Sequence, residues 1–268
     1  MARESDTTRA RGPGFHGRRV GTTLRAMFNL IRTELGIAIQ SGPGETTPIR
    51  HIIGVGRNYA DHAREQNADV PDRPMLFTKN PYSASLDGDD IVIPRICQDR
   101  EQVDFEAELA VVIGRGPGGR LALDVSEDEA ARYVLGYCCA NDVSARWWQK
   151  EGSGGQFCRG KGFDTFCPLG PVVVPPEKIP DPGTLRVVCR VNGLIMQDAP
   201  TSDMIFSVQH LVSACSQGTT LLPGTVILTG TPSGVGMARK PPVYLKAGDR
   251  VEVEIDRIGL MANTVRIG

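Results

Sequence analysis

The sequence predicts an α+β fold that is mainly β, on three observations. Strand-like segments follow one another between Gly, Pro or Asp, helical stretches are few, and strands and helices do not alternate regularly. The third observation disfavours a doubly wound parallel sheet. Residues 1–18 read as a flexible basic tail and 19–50 as a short N-terminal segment and linker, with "SGPGETTP" (41–48) as the linker itself. From His51 to Gly268 the pattern is that of one compact domain. "HIIGV", "MLFT", "DIVIP" and the long "VDFEAELAVVIG" have strand composition. Asn192-Gly193 sits between two apolar runs and predicts a hairpin, because both residues tolerate positive φ. "TVILTG" and "RVEVEIDRIGLMANTVRI" add late strands. "SEDEAARYV" reads as a helix with Ser126 as N-cap, and "SVQHLVSACSQG" as one with Val208, Leu211, Val212 and Cys215 on one face, ending at Gly218.

The chain has 268 residues and a net charge of -1, so it carries no general pull toward nucleic acid or an anionic membrane, and a small-molecule partner is expected. Its seven cysteines include no C-x-x-C and sit mostly among apolar residues, which argues against a cysteine zinc site and for reduced thiols in the cytoplasm. No apolar run approaches the ~20 residues that span a bilayer, and no membrane association is expected. The Arg-rich opening "MARESDTTRARGPGFHGRR" keeps organelle targeting open as an alternative, although Glu4 and Asp6 interrupt it.

"GVGRNYADHARE" (54–65) spaces Gly54, Gly56 and Ala60 almost as a dinucleotide-binding turn does. Such a turn needs an apolar helix face after the glycines and an acid at the end of the next strand. "RNYADHAREQNADVPDRP" offers no such face, and the next strand leads into Lys79 instead. The nucleotide reading fails. His62 and Glu65 remain, at a spacing that puts both on one helical face, where the carboxylate could hold one ring nitrogen while the other takes a proton. The plain alternative is the wet side of a polar helix.

In "VDFEAELAVVIG" the acids Asp104, Glu106 and Glu108 alternate with Val103, Phe105, Ala107 and Leu109, and a strand's period of two sets all three on one face. A sheet face in water would explain alternation. The run into "LAVVIG", which looks buried on both sides, conflicts with that, and a cation would resolve the conflict. Carboxylates select hard ions such as Mg2+, Mn2+ or Ca2+. Asp142, after the apolar "YVLGYCCAN", is a third ligand or, equally, an N-cap for "VSARWWQKE".

"GVGRNYADHARE", "DFEAELAVVIG", "GYCCANDVSAR", "GKGFDTFCPLGP", "VNGLIMQ" and "LTGTPSGVG" together resemble, in order and spacing, the fumarylacetoacetate hydrolase family over roughly residues 50–268. "KPPVYLKAGDRVEVEI" is similar to its domain-containing protein 2 subgroup. The resemblance implies a mixed β-roll at 51–268 as the catalytic domain, in a homodimer, with one Mg2+ or Mn2+ held by Glu106, Glu108 and Asp142. Asp104 stays outside that set. It further implies His62 and Glu65 as a lid dyad, Lys161 and Gln149 as catalytic residues, and Thr231 with Gly230 in the loop that holds a substrate carboxylate. Arg57 and Lys79 complete the expected substrate-binding set. Without the resemblance, Lys161 and Gln149 would read as surface residues and "GTPSGVG" as a plain turn. Relatives commonly carry an acid directly after Ser-Ala-Arg, where this chain has Trp147, which implies altered surroundings for Gln149.

The implied chemistry passes through the enolate of a 2-oxo acid. The main expectation is a hydrolase that cleaves a C–C bond in acylpyruvate-type or fumarylpyruvate-type 2,4-dioxo acids. The alternatives are a keto–enol tautomerase or decarboxylase of oxaloacetate-like acids, and a catalytically silent protein that binds a metal and a 2-oxo acid.

Overall fold

The computed structural model describes residues 27–65 and 69–268; the tail expected at 1–18 lies outside them. Asn29–Thr33 (β1), Gly36–Gly42 (β2) and Glu45–Pro48 (β3) form a three-stranded antiparallel sheet. The expected linker is therefore a hairpin. Pro43 and Gly44 carry the turn, with Gly44 at φ +75°. Ile37 and Ile39 are buried beneath it, and that apolar alternation is why the segment packs.

His51–Gly56 (β4) leads into a short helix, Ala60–Glu65 (α1), and Met75–Lys79 (β5), Ala84–Leu86 (β6) and Asp90–Ile93 (β7) follow. The acidic segment is not one continuous strand as its alternation predicts. It breaks between Val103–Asp104 (β8) and Ala107–Ile113 (β9), because Asp104 turns its carboxylate to the Phe105 amide and Asn141 Oδ1 accepts the Glu106 amide. The helix expected after Ser126 spans only Glu127–Ala130 (α2), and Ser126 makes no side-chain cap bond. Val134–Asn141 (β10), Ser144–Ala145 (β11), Arg146–Gln149 (α3), Phe157–Lys161 (α4) and Cys167–Val174 (β12) come next. Arg186–Val191 (β13) and Leu194–Pro200 (β14) make the expected hairpin, with Asn192 and Gly193 at φ 52° and 78°. Val208–Ser216 (α5) is capped by Ser207 and buries the four residues expected on its apolar face. Thr225–Leu228 (β15), Arg250–Ile255 (β16) and Gly259–Ile267 (β17) end the chain.

These strands build a curled, mixed β-roll. Seven run in the order β5-β4-β15-β9-β10-β12-β6, with β15–β4 and β12–β6 parallel and the other pairs antiparallel. Five run β14-β13-β16-β17-β7. β9 lies at the centre and is buried on both sides. Its Leu109, Val111 and Ile113 join Val187, Cys189, Val253 and Leu211 in the larger core, while Ala110 and Val112 meet Ile37, Ile39 and Ile52 in a second core behind the sheet. The cysteines are free thiols, and burial pushes those of Cys97 and Cys167 up to about 12. Among the described residues no helix is long and apolar enough to cross a membrane.

The glycines of "GVG" belong to this packing. Gly54 faces Phe77 across the β4–β5 pair, and a Cβ there would stand 2.1 Å from the ring. Gly54→Ala is expected to push Phe77 from its seat at a cost of about 1–3 kcal/mol, read as a lowered urea midpoint with an unchanged slope.

Candidate active site

The pairing of β9 with β10 sets Ala140 opposite Glu108 and Asn141 opposite Ala107, and the Asp142 amide then donates to the Glu106 carbonyl at 2.8 Å. Residues far apart in the chain thus meet at one end of the sheet. Glu106, Glu108 and Asp142 are all buried, with ligand-capable oxygens within 4.8 Å of one another. The solvated-face reading does not hold for these acids, since even Asp104 is 0% exposed.

Lys161 enters from α4. Its Nζ donates to Glu106 Oε2 at 2.8 Å, Asp142 Oδ2 at 2.6 Å and Ser144 Oγ at 2.7 Å. The helix can come this close to α3 because position 160 is glycine: a Cβ there would lie 2.4 Å from the Gln149 nitrogen. Lys79, expected to touch substrate, instead lies behind the triad and donates to Asp142 Oδ1 at 2.5 Å. Arg146 spans two acids: Nε reaches Asp104 Oδ2 at 2.9 Å, and Nη1 reaches Glu106 Oε1 at 2.6 Å and Gln149 Oε1 at 3.0 Å. Asp104 also accepts the amides of Gly236 and Met237. It is an anchor, outside the triad as expected.

Burial alone would raise the Glu106 carboxyl, but the charges of Lys161 and Arg146 outweigh it and hold that group well below the usual carboxylate range. Burial, reinforced by the charges of Asp142 and Glu106, raises Glu108 well above its ordinary value. Lys161 is desolvated too, yet Asp142 and Glu106 keep its ammonium above its ordinary value and therefore charged. Among the described residues four buried carboxylates (Asp104, Glu106, Glu108, Asp142) thus face three cations (Lys79, Arg146, Lys161), and Glu108 is the one in no ion pair with them. An all-oxygen donor set in which one buried acid lacks a counter-charge from the described residues fits a hard divalent cation.

The dyad assembles over the same cleft. His62 Nδ1 lies 2.7 Å from Glu65 Oε1, and Glu65 Oε2 accepts the Gly234 amide at 2.9 Å. His62, Arg57, Gln149, Lys161, Thr231, Glu106 and Glu108 line the cleft, with Val55, Met75, Phe77 and Phe157 forming its apolar side. Gln149 lines the cleft next to Trp147, and Arg146 Nη1 donates to its oxygen, which leaves its NH2 as the donor end. Arg57 takes a left-handed backbone at φ 58°, and its buried Nε has no hydrogen-bond partner among the described residues. That suits a ligand anion.

The Gly-rich loop behaves differently from expectation. Gly230 donates its amide to Glu108 Oε2 at 2.6 Å, and the Thr231 hydroxyl donates to the Ala107 carbonyl while accepting from Gln197. Gly230 thereby holds the Glu108 carboxylate and Thr231 the backbone between Glu106 and Glu108, so both donors are committed within the protein. Sequence reasoning missed Arg146 as the cation between Asp104 and Glu106; the signal was a cluster of acids with no assigned counter-charge. Arg146→Met is expected to destabilise the protein by about 3–5 kcal/mol, because two buried carboxylates lose their partner. Urea unfolding checks this, and Arg146→Lys should recover only part of the loss, since a single ammonium cannot reproduce the fork.

A β-roll that carries a buried carboxylate triad, a charged lysine and a His-Glu pair around one cleft defines an enzyme class. Residues 51–266 match the family described as Fumarylacetoacetate (FAA) hydrolase C-terminal, and the chain belongs to that family. It is 43% identical over 248 residues to oxaloacetate tautomerase FAHD2A, mitochondrial, of Bos taurus, covering 91% of this chain and 76% of that one. It is 44% identical over 220 residues to oxaloacetate tautomerase YisK of Bacillus subtilis, covering 81% and 70%. Among solved structures, fumarylpyruvate hydrolase from Pseudomonas aeruginosa in complex with Mn2+ and pyruvate superposes with a TM-score of 0.73 at 29% identity, over 85% of this chain and 94% of that one.

Proposed function

We propose that this chain is a keto–enol tautomerase of oxaloacetate-like 2-oxo acids, dependent on Mg2+ or Mn2+ held by Glu106, Glu108 and Asp142. One observation carries the chemistry: a histidine oriented by a carboxylate and a charged lysine face the same cleft beside the triad. The names of the relatives choose among the reactions such a cleft supports, and they favour the proton shift over the C–C hydrolysis that was the main expectation from sequence. Hydrolysis stays as a second reading, favoured by the fold shared with the Pseudomonas enzyme.

When bound, the divalent ion supplies Lewis-acid stabilisation of negative charge on the 2-oxo oxygen. With Nδ1 donating to Glu65, Nε2 of His62 is the nitrogen that accepts the C3 proton of the keto form. Electrons of the broken C–H bond move into the C2–C3 bond as the C2 oxygen gains charge. Lys161 places its ammonium beside that charge, and returning the proton to oxygen gives the enol, with no net change in composition. Arg57 balances a substrate carboxylate, and the Gln149 amide donates to the substrate's oxygens.

The test follows the absorbance of enol-oxaloacetate with and without EDTA, with acetylpyruvate in parallel. Metal-dependent loss of the enol signal without pyruvate release is the expected result, slowed by roughly 100-fold or more in His62→Ala. Acetylpyruvate cleavage in place of the shift would establish the second reading, and turnover of neither acid would leave the silent binder. The bovine and human FAHD2A relatives are named mitochondrial, which supports the organelle-targeting alternative for the Arg-rich opening.

A further inference from the structure

β5 is the edge strand of the seven-stranded sheet, and its register against β4 sets Gly56 opposite Met75, Gly54 opposite Phe77 and Ile52 opposite Lys79. Alternate residues of a strand share a face, so Met75, Phe77 and Lys79 share one, with Met75 and Phe77 lining the cleft and Lys79 reaching Asp142 behind the triad. The opposed glycines leave room for the first two to lie over β4 and reach the cleft: a Cβ at Gly56 would stand 2.2 Å from Met75 Cε. The spacing that mimics a nucleotide turn thus serves to seat two side chains from the neighbouring strand.

The two seats differ. Phe77 is buried, touches Phe157 with ring centroids 5.6 Å apart, and carries the Lys161 ammonium 5.0 Å from its ring centre. It is a fixed wall. Met75 is only half-buried, unbranched and flexible, and only its terminal methyl occupies the notch. Space in the cleft open to the centre of a water molecule amounts to about 20 Å3, enough for one or two waters. Among the apolar side chains lining the cleft, Met75 is the long unbranched one, so an acid that extends past it meets a side chain able to change rotamer. Arg57 follows Gly56 directly, so the charge suited to a distal carboxylate and the methionine share one rim.

We propose that Met75 is a specificity-determining residue that sets the length of acid the cleft admits, accepting a four-carbon 2-oxo dicarboxylate and rejecting longer homologues. This rests on the reading of the cleft as a metal-dependent 2-oxo acid site. One added methylene in a packed pocket typically changes discrimination by about 10-fold or more, so a methionine that stops the chain leaves a clear signature.

The experiment measures thermal-shift affinities at fixed Mn2+ for fresh oxaloacetate, 2-oxoglutarate and 2-oxoadipate, with oxaloacetate tautomerisation scored separately. In the wild type, affinity should fall with each methylene. Met75→Ala should reduce the oxaloacetate-to-2-oxoadipate ratio by about 10-fold or more, and Met75→Phe should increase it. A ratio unchanged in both variants, equal wild-type affinity for all three acids, or no binding of any of them overturns the inference. Length-dependent binding that shifts in the variants, in a protein that does not tautomerise oxaloacetate, would sustain the inference and remove the proposed function.

Discussion

Glu108→Gln is expected to make the metal-free protein more stable and the metal-supplied protein inactive. Glu108 accepts one backbone amide, which glutamine's oxygen can also accept, and among the described residues it is the buried acid with no ion-pair partner. Burial and the charges of Asp142 and Glu106 raise its pKa above the ordinary value of 4.5. The unfolded chain therefore releases this proton at lower pH than the fold does, and wild-type stability falls as pH rises above that ordinary value. Glutamine removes the penalty. The gain should be absent below about pH 4 and reach on the order of 1–3 kcal/mol near neutrality, read by urea unfolding in EDTA. With Mn2+ the order reverses: the wild type gains about 2.7 kcal/mol when the ion is present at a hundred times its dissociation constant, and the variant gains nothing. A variant that still binds Mn2+ and turns over oxaloacetate would remove Glu108 from the metal set.

Lys161→Met separates the chemistry from the metal. Its ammonium lies between Glu106 and Asp142, so removing it leaves the triad more negative and Mn2+ should bind at least as tightly. Turnover should nevertheless drop by about 100- to 1000-fold, as when a positioned charge-stabilising donor is removed. The loss belongs in kcat, since the interaction strengthens as charge develops on the substrate oxygen. Weakened Mn2+ binding with unchanged kcat would show the lysine to be a support for the triad alone.

Much of the fold was legible where the signal is local. Asn192-Gly193 and the apolar face of α5 each depend on a few neighbouring residues, and each appears as expected, whereas the cap read at Ser126 makes no side-chain bond. The hairpin at 41–48 was read as a linker because Pro and Gly mark turns and linkers alike; what distinguishes them is packing against distant residues such as Val173. The break at Phe105–Glu106 was invisible for the same reason, since the group that captures the Glu106 amide lies 35 residues away. Within the site, the acids announced themselves by crowding. Lys79 and Gly230 were assigned to substrate because motif position does not say which way a group faces, and that direction comes from the β4–β5 register and from the bond to Glu108. The choice of reaction was illegible because the far wall of the cleft is made by a neighbouring edge strand and by α4, outside every acidic motif.

The small sheet of β1–β3 sits on the rear of the catalytic sheet, where Ile37 and Ile39 share a core with Ala110, Val112 and Ile52. A recombinant fragment begun at the first family-matched residue would lay that oily underside open to water and to its own neighbours. A well-behaved expression product must therefore keep the preceding β-sheet along with the family-matched residues 51–266.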